Sequence, residues 1–98
     1  MSDITVVYWR DIPAQVIVGK GRRGTKRPLS ERFEQAIDRA AMKSGAAGTD
    51  DYLAEWRKEV VGTGDGDPDE IAKTKAEEIE ALYDKPRLMA LIENHGRA

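Results

Sequence analysis

Cysteine is absent from this chain of 98 residues. A disulfide framework, a thiolate metal site and a cysteine nucleophile are therefore excluded. Histidine occurs once, at His95, so a His-containing metal cluster has no second member. A catalytic triad needs its histidine held firmly, and His95 sits beside a stretch expected to fray. Ser2, Ser30 and Ser44 fall near the start, at a helix cap and near a helix end, none with a base beside it. No apolar run approaches the roughly 20 residues of a membrane helix. The opening residues MSDITVV show no basic region followed by a signal-type apolar run. The expectation is a cytoplasmic protein with no membrane span, no catalytic residues, no metal and no cofactor: not an enzyme.

What is present suits one soluble domain over residues 1–98. Charged residues make up 35% and hydrophobic residues 40%, with a pI near 5.4. A chain this size buries roughly 60–65% of its unfolded surface, enough for one modest core. The net charge of −2 hides an asymmetry. Residues 1–43 carry nine Lys or Arg against five Asp or Glu, and residues 44–98 carry seven against thirteen. Such a dipole suits a partner of uneven charge or head-to-tail self-association.

Strand character is confined to the beginning. Ile4 to Trp9 is β-branched and aromatic throughout, and Ala14 to Val18 repeats the signal. Arg10-Asp11-Ile12-Pro13 between them fits a loop, so residues 4–18 read as a β-hairpin. Both its faces are apolar, and such a hairpin needs helices on one side and a third strand or a partner elsewhere. Residues 19–27 form a flexible basic loop with Lys20, Arg22, Arg23, Lys26 and Arg27.

The rest, residues 30–96, reads as helical. Ser30 is a natural N-cap, and Leu29, Phe33, Ile37, Ala40 and Ala41 form a stripe ended by Gly45. Thr49 or Asp50 caps a second helix with Tyr52, Leu53, Trp56 and Val60 on its apolar face, stopped by Gly62. Residues 62–66 read as a flexible loop. Asp67-Pro68-Asp69-Glu70 is a specific helix start, followed by Ile71, Ala72, Ala76, Ile79, Leu82 and Tyr83 at helical spacing. Pro86 breaks or kinks that helix. Leu88, Met89, Leu91 and Ile92 form a last short one, ended by Gly96. The fold class is α+β: an N-terminal β-hairpin packed against three to four helices.

Two motifs carry less than their spelling suggests. Gly19-Lys20-Gly21-Arg22-Arg23-Gly24 spells G-x-G-x-x-G after a strand. A dinucleotide site needs that turn to open a helix directly, whereas here Thr25 to Leu29 intervene and the strand belongs to a hairpin. Asp65, Asp67 and Asp69 spell D-x-D-x-D. A calcium loop then needs Gly sixth and Glu twelfth, where this chain has Glu70 and Ala76. Helix capping accounts for Asp67 and Glu70 without a metal. The basic loop can bind phosphate by charge alone, with Tyr8 and Trp9 nearby to stack on bases. Against that stands the low pI and the acidic second half.

The run YWRDIPAQVIV, the basic loop, LSERFEQAIDRAAMKSG and DDYLAEWRKE resemble a small bacterial family that goes by the name "virulence factor". The distinctive motifs are Tyr8-Trp9-Arg10-Asp11-Ile12-Pro13 and Phe33-x-x-Ala36-Ile37-Asp38-x-Ala40-Ala41-Met42. The likeness spans residues 8 to about 60. It implies a stand-alone short protein, or a domain of the kind appended to a HEAT-repeat scaffold. It also implies an accessory role, with corrinoid and folate one-carbon metabolism as the suggested setting. It brings no catalytic residues.

The expected function is a non-enzymatic interaction module that assists a larger enzyme or scaffold. Its contact residues are taken as Trp9, Arg10 and Asp11 at the turn, with Lys20, Arg22, Arg23, Lys26 and Arg27 in the loop. The partner is another protein, or a second copy through the hairpin edge. The alternative is a phosphate- or nucleic-acid-binding domain using residues 20–27.

Overall fold

In the computed structural model, which describes residues 2–19, 24–46, 48 and 50–98, the opening hairpin is the centre of a four-stranded antiparallel sheet. Strands β1 (Ser2–Trp9) and β2 (Ile12–Val18) form the hairpin. Strand β3 (Thr25–Pro28) pairs with β2, and β4 (Trp56–Gly64) pairs with β1, giving the order β3-β2-β1-β4. The chain thus supplies strands for both edges of its own hairpin. Helices α1 (Glu31–Ser44), α2 (Asp50–Ala54), α3 (Pro68–Leu82) and α4 (Lys85–Glu93) complete the α+β fold.

The hairpin turn is tighter than the four-residue loop suggested by sequence. Trp9 faces Ile12 across a turn of Arg10 and Asp11, and Arg10 takes a φ of 54°. Pro13 joins β2 itself, fully buried. It has no N–H for a ladder, and the register shift beside it accommodates that. β3 pairs only with Gln15 to Val18, so Pro13 lies beyond its reach.

The helix expected over residues 49–60 is a correction. Only Asp50–Ala54 are helical, and Trp56–Gly64 form β4. The glycines assigned to a flexible loop, Gly62 and Gly64, lie in that strand and pair with Ile4 and Ser2. Val60, Val61 and Thr63 are β-branched, and two glycines disfavour a helix. The open edge of β1 offers a row of backbone groups that must be paired. That tertiary demand outweighs the local 3.6-residue pattern. Basic residues Lys26 and Arg27 likewise belong to β3 rather than to a loop.

Helix α3 starts as expected, and α4 starts before Pro86 rather than after it. Asp67 caps α3, its carboxylate accepting from the Asp69 N–H at 3.1 Å. Pro86 lies in the first turn of α4, where its missing N–H costs nothing. Asp84 caps that helix, accepting from the Arg87 N–H. Ser30 has N-cap backbone geometry, but its hydroxyl donates to Glu80 of α3 at 2.6 Å instead of capping.

The sheet has unequal faces. Directly opposed residues share a face. One face carries Ile4, Val6, Val16 and Val18, covered by α3. The core joins Val6, Val16 and Val18 to Phe33, Ile37 and Ala40 of α1, Ala72 and Ile79 of α3, and Leu88 and Leu91 of α4. Alanines at 36, 40, 41, 72 and 76 let the helices approach closely. The other face is covered only at the end near the hairpin turn.

Candidate interaction surface

The turn residues turn inward, onto the chain itself. Trp9 is fully buried, and its indole N–H donates to the Tyr52 carbonyl at 2.9 Å. The expected surface role for Trp9 is thereby corrected: the ring is core. The segment that covers it lies far along the chain, so nothing near Trp9 in sequence signals its burial. Arg10 lies over the Trp9 ring at 4.7 Å, and its Nη1 donates to the His95 carbonyl at 2.7 Å. Its Nε comes only within 3.8 Å of the Glu55 carboxylate. Asp11 donates its N–H to the Gly96 carbonyl at 2.8 Å, and its carboxylate accepts from the Ala98 N–H at 2.6 Å. Arg57 reaches the same carboxylate at 3.1 Å. Arg10 and Asp11 therefore work as a latch that holds residues 95–98 over Trp9.

Of the five basic residues, Lys20, Arg22 and Arg23 lie outside the described residues. Lys26 and Arg27 are exposed on β3 and point to opposite faces. Neither aromatic proposed for base stacking is free to stack. Trp9 is buried, and Arg57 lies over the Tyr8 ring at 4.5 Å.

The less covered face is built by two rows that cross all four strands. Lys26, Ile17, Thr5 and Val60 form one, and Pro28, Gln15, Val7 and Lys58 the other. Ile17 and Thr5 are half-buried, and Val60 is 62% exposed. The rows end in a lysine at opposite edges of the sheet. β4 has a register shift at Val61, and Lys58 is exposed on it. A bulge and an edge lysine are devices that discourage open-ended strand addition, so this surface offers its face rather than its edge.

Where α1 and α2 overhang that face there is a cleft of about 310 Å³. Val7 and Ile37 lie on its apolar side, Glu34 and Asp38 come from α1, and Tyr52 and Trp56 flank them. The two rings meet edge to face at 5.9 Å. Burial pushes the Tyr52 phenol above its ordinary value, and the charges of Asp38 and Glu34 push it the same way. Sequence reading missed this group. Glu34 and Asp38 do stand one turn apart on an evident helix. Tyr52 and Trp56 reach them only because the chain leaves its helix at Ala54.

Among the described residues no three His, Asp or Glu side chains come together as metal ligands. No described helix is long and apolar enough to cross a membrane. No curated protein and no solved structure matches the chain. One family does match, under the description "Virulence factor", over residues 7–92. That span takes in the hairpin from Val7 onward, the latch residues Arg10 and Asp11, both cleft carboxylates and the helices as far as Ile92. Its description names no reaction, and by this match the chain belongs to the virulence factor family.

Proposed function

We propose that this domain is a non-enzymatic, cytoplasmic interaction module that docks a larger protein on the less covered face of its sheet. The observation that carries the reading is the contrast between the two faces. Val6, Val16 and Val18 are sealed under the helices, while Ile17, Thr5 and Val60 face water on the other side. Covering Ile17 and Val60 in a complex is worth at most about 1.5–3 kcal/mol each. Lys26 and Lys58 sit at the ends of the apolar rows, so the docking surface of the partner is apolar with an acidic rim.

The test uses Ile17→Glu, Val60→Glu and, as a control on the helix side, Leu82→Glu, which is also exposed. Val60→Glu changes folding stability by less than about 0.5 kcal/mol, because the side chain is in water. The wild-type chain and Leu82→Glu retain the same stoichiometric protein from native extract, and the sheet-face variants lose it. Retention by all three rejects this face. A stable wild-type dimer in sedimentation equilibrium that Val60→Glu dissolves assigns the face to a second copy and also rejects the reading.

A further inference from the structure

Among the described residues some acids of this chain meet a cation, and others, Glu31 and Glu77 among them, stand exposed without an ion pair. Glu55, Glu59, Glu80 and Glu93 each meet an arginine or lysine. Glu34 and Asp38 meet no cation among the described residues, although they overhang a cleft with an apolar wall. Two aromatic rings stand in the same cleft, Tyr52 edge-on to Trp56 at an interplanar angle of 88°. Tyr52 titrates above its ordinary range, so its ring is a neutral phenol at physiological pH. An anion is repelled here, and a neutral apolar group leaves two carboxylates facing it. A cation gains from both features, since carboxylates pair with it and aromatic faces attract it. The guanidinium group fits better than an ammonium. It is flat and weakly hydrated, stacks on rings and bonds carboxylates through two N–H groups at once.

We propose that this cleft receives an arginine side chain of the docked partner protein, held by Glu34 and Asp38 and stacked beside Tyr52 and Trp56. The proposal rests on the reading of the sheet face as a protein-docking surface and adds a specificity pocket at its end. The partner then presents acidic groups toward Lys26 and Lys58 and an arginine toward α1. That polarity fixes the orientation of the complex and disfavours partners whose basic residue lies elsewhere.

The test is an NMR titration of the full chain with N-acetyl-arginine-methylamide, against the citrulline compound of the same shape without the charge. It is carried to about 100 mM, because a single contact of this kind is weak in water. The arginine compound shifts the Trp56 indole and the backbone signals of Tyr52, Ile37 and Asp38 in a saturable way. The citrulline compound binds at least roughly fivefold more weakly. Glu34→Gln combined with Asp38→Asn removes the difference, while its unshifted signals elsewhere show an intact fold. An equal response to both compounds, shifts that map elsewhere, or no response at all overturns the pocket. If the pocket fails while Val60→Glu still loses the partner, docking stands without it. If arginine binds and no sheet-face variant alters partner retention, the docking reading fails alone.

Discussion

Replacing Gly96 by alanine is the sharpest test of the latch over Trp9. Gly96 has a φ of +86°, and a Cβ there would stand 2.9 Å from Cζ3 and 3.3 Å from Cε3 of the Trp9 ring. The left-handed conformation alone costs an alanine about 1 kcal/mol. The ring cannot give way, because Trp9 is fully buried and its indole is tied to Tyr52. Forcing extra volume into such a site adds about 1–3 kcal/mol. Gly96→Ala therefore destabilises by about 2–4 kcal/mol, or roughly 10–20 °C in Tm for a chain this size. Gly45→Ala separates the two contributions. Gly45 ends α1 at φ +77° with nothing within 4 Å of its Cβ position. It should lose only about 1 kcal/mol, for the conformation. Urea unfolding followed by tryptophan fluorescence measures both variants. Equal losses would show that residues 95–98 do not rest on Trp9, and the latch would be wrong.

Trp9→Phe removes the donor that satisfies the Tyr52 carbonyl and leaves a gap in the core, so it costs about 2–4 kcal/mol in the same urea assay. A loss under about 0.5 kcal/mol would return Trp9 to the surface role that its sequence context suggested. Glu80 carries the acid sensitivity of the α1–α3 contact. Burial pushes its carboxyl upward, but hydrogen bonds from the Ser30 hydroxyl and N–H, with Arg32, outweigh that and hold it below the ordinary 4.5. A lowered carboxylate contributes stability above its unfolded pKa and loses it as pH falls through the folded value. Glu80→Gln thus costs about 1–2 kcal/mol at pH 7, allowing for its part exposure. It also flattens the decline in stability below the ordinary glutamate range, read as urea midpoints across acid pH. An unchanged acid slope in the variant rejects this assignment.

The parts of the fold that could be read in the sequence are those fixed by local chemistry. The hairpin followed from β-branched runs on either side of Asp11 and Pro13. The starts of α1 and α3 followed from Ser30 and from Asp67-Pro68. The stripe Phe33, Ile37, Ala40 and Ala41 did become core. The stretch from Trp56 to Gly64 was not legible, because Tyr52, Leu53, Trp56 and Val60 repeat at helical spacing and Glu55, Arg57, Lys58 and Glu59 between them are charged. Leu53 and Val60, two of that stripe, end up largely exposed. A helix needs that face buried to be stable, and α3 and α4 already occupy the helix-bearing side of the sheet. What remained for this segment was the open edge of β1.

The same distinction explains the candidate site. Trp9, Arg10 and Asp11 attract attention in the sequence because an aromatic, a cation and an anion meet at a turn. Each is used up by groups 40 to 90 residues away: Tyr52, Arg57, and the segment from His95 to Ala98. A turn rich in recognition chemistry is equally a turn able to recognise its own chain, and only the topology decides between the two. Glu34 and Asp38 show the converse. Two acids on a solvated helix face carry no signal by themselves. They acquire one when β4 carries Trp56 to the cleft and Tyr52 closes beside it. The proposed docking surface is therefore two rows of side chains across four strands plus the overhanging helices α1 and α2, drawn from residues 5 to 60. Its residue pairs are set by strand register, and register here depends on the one segment whose local pattern pointed to a helix.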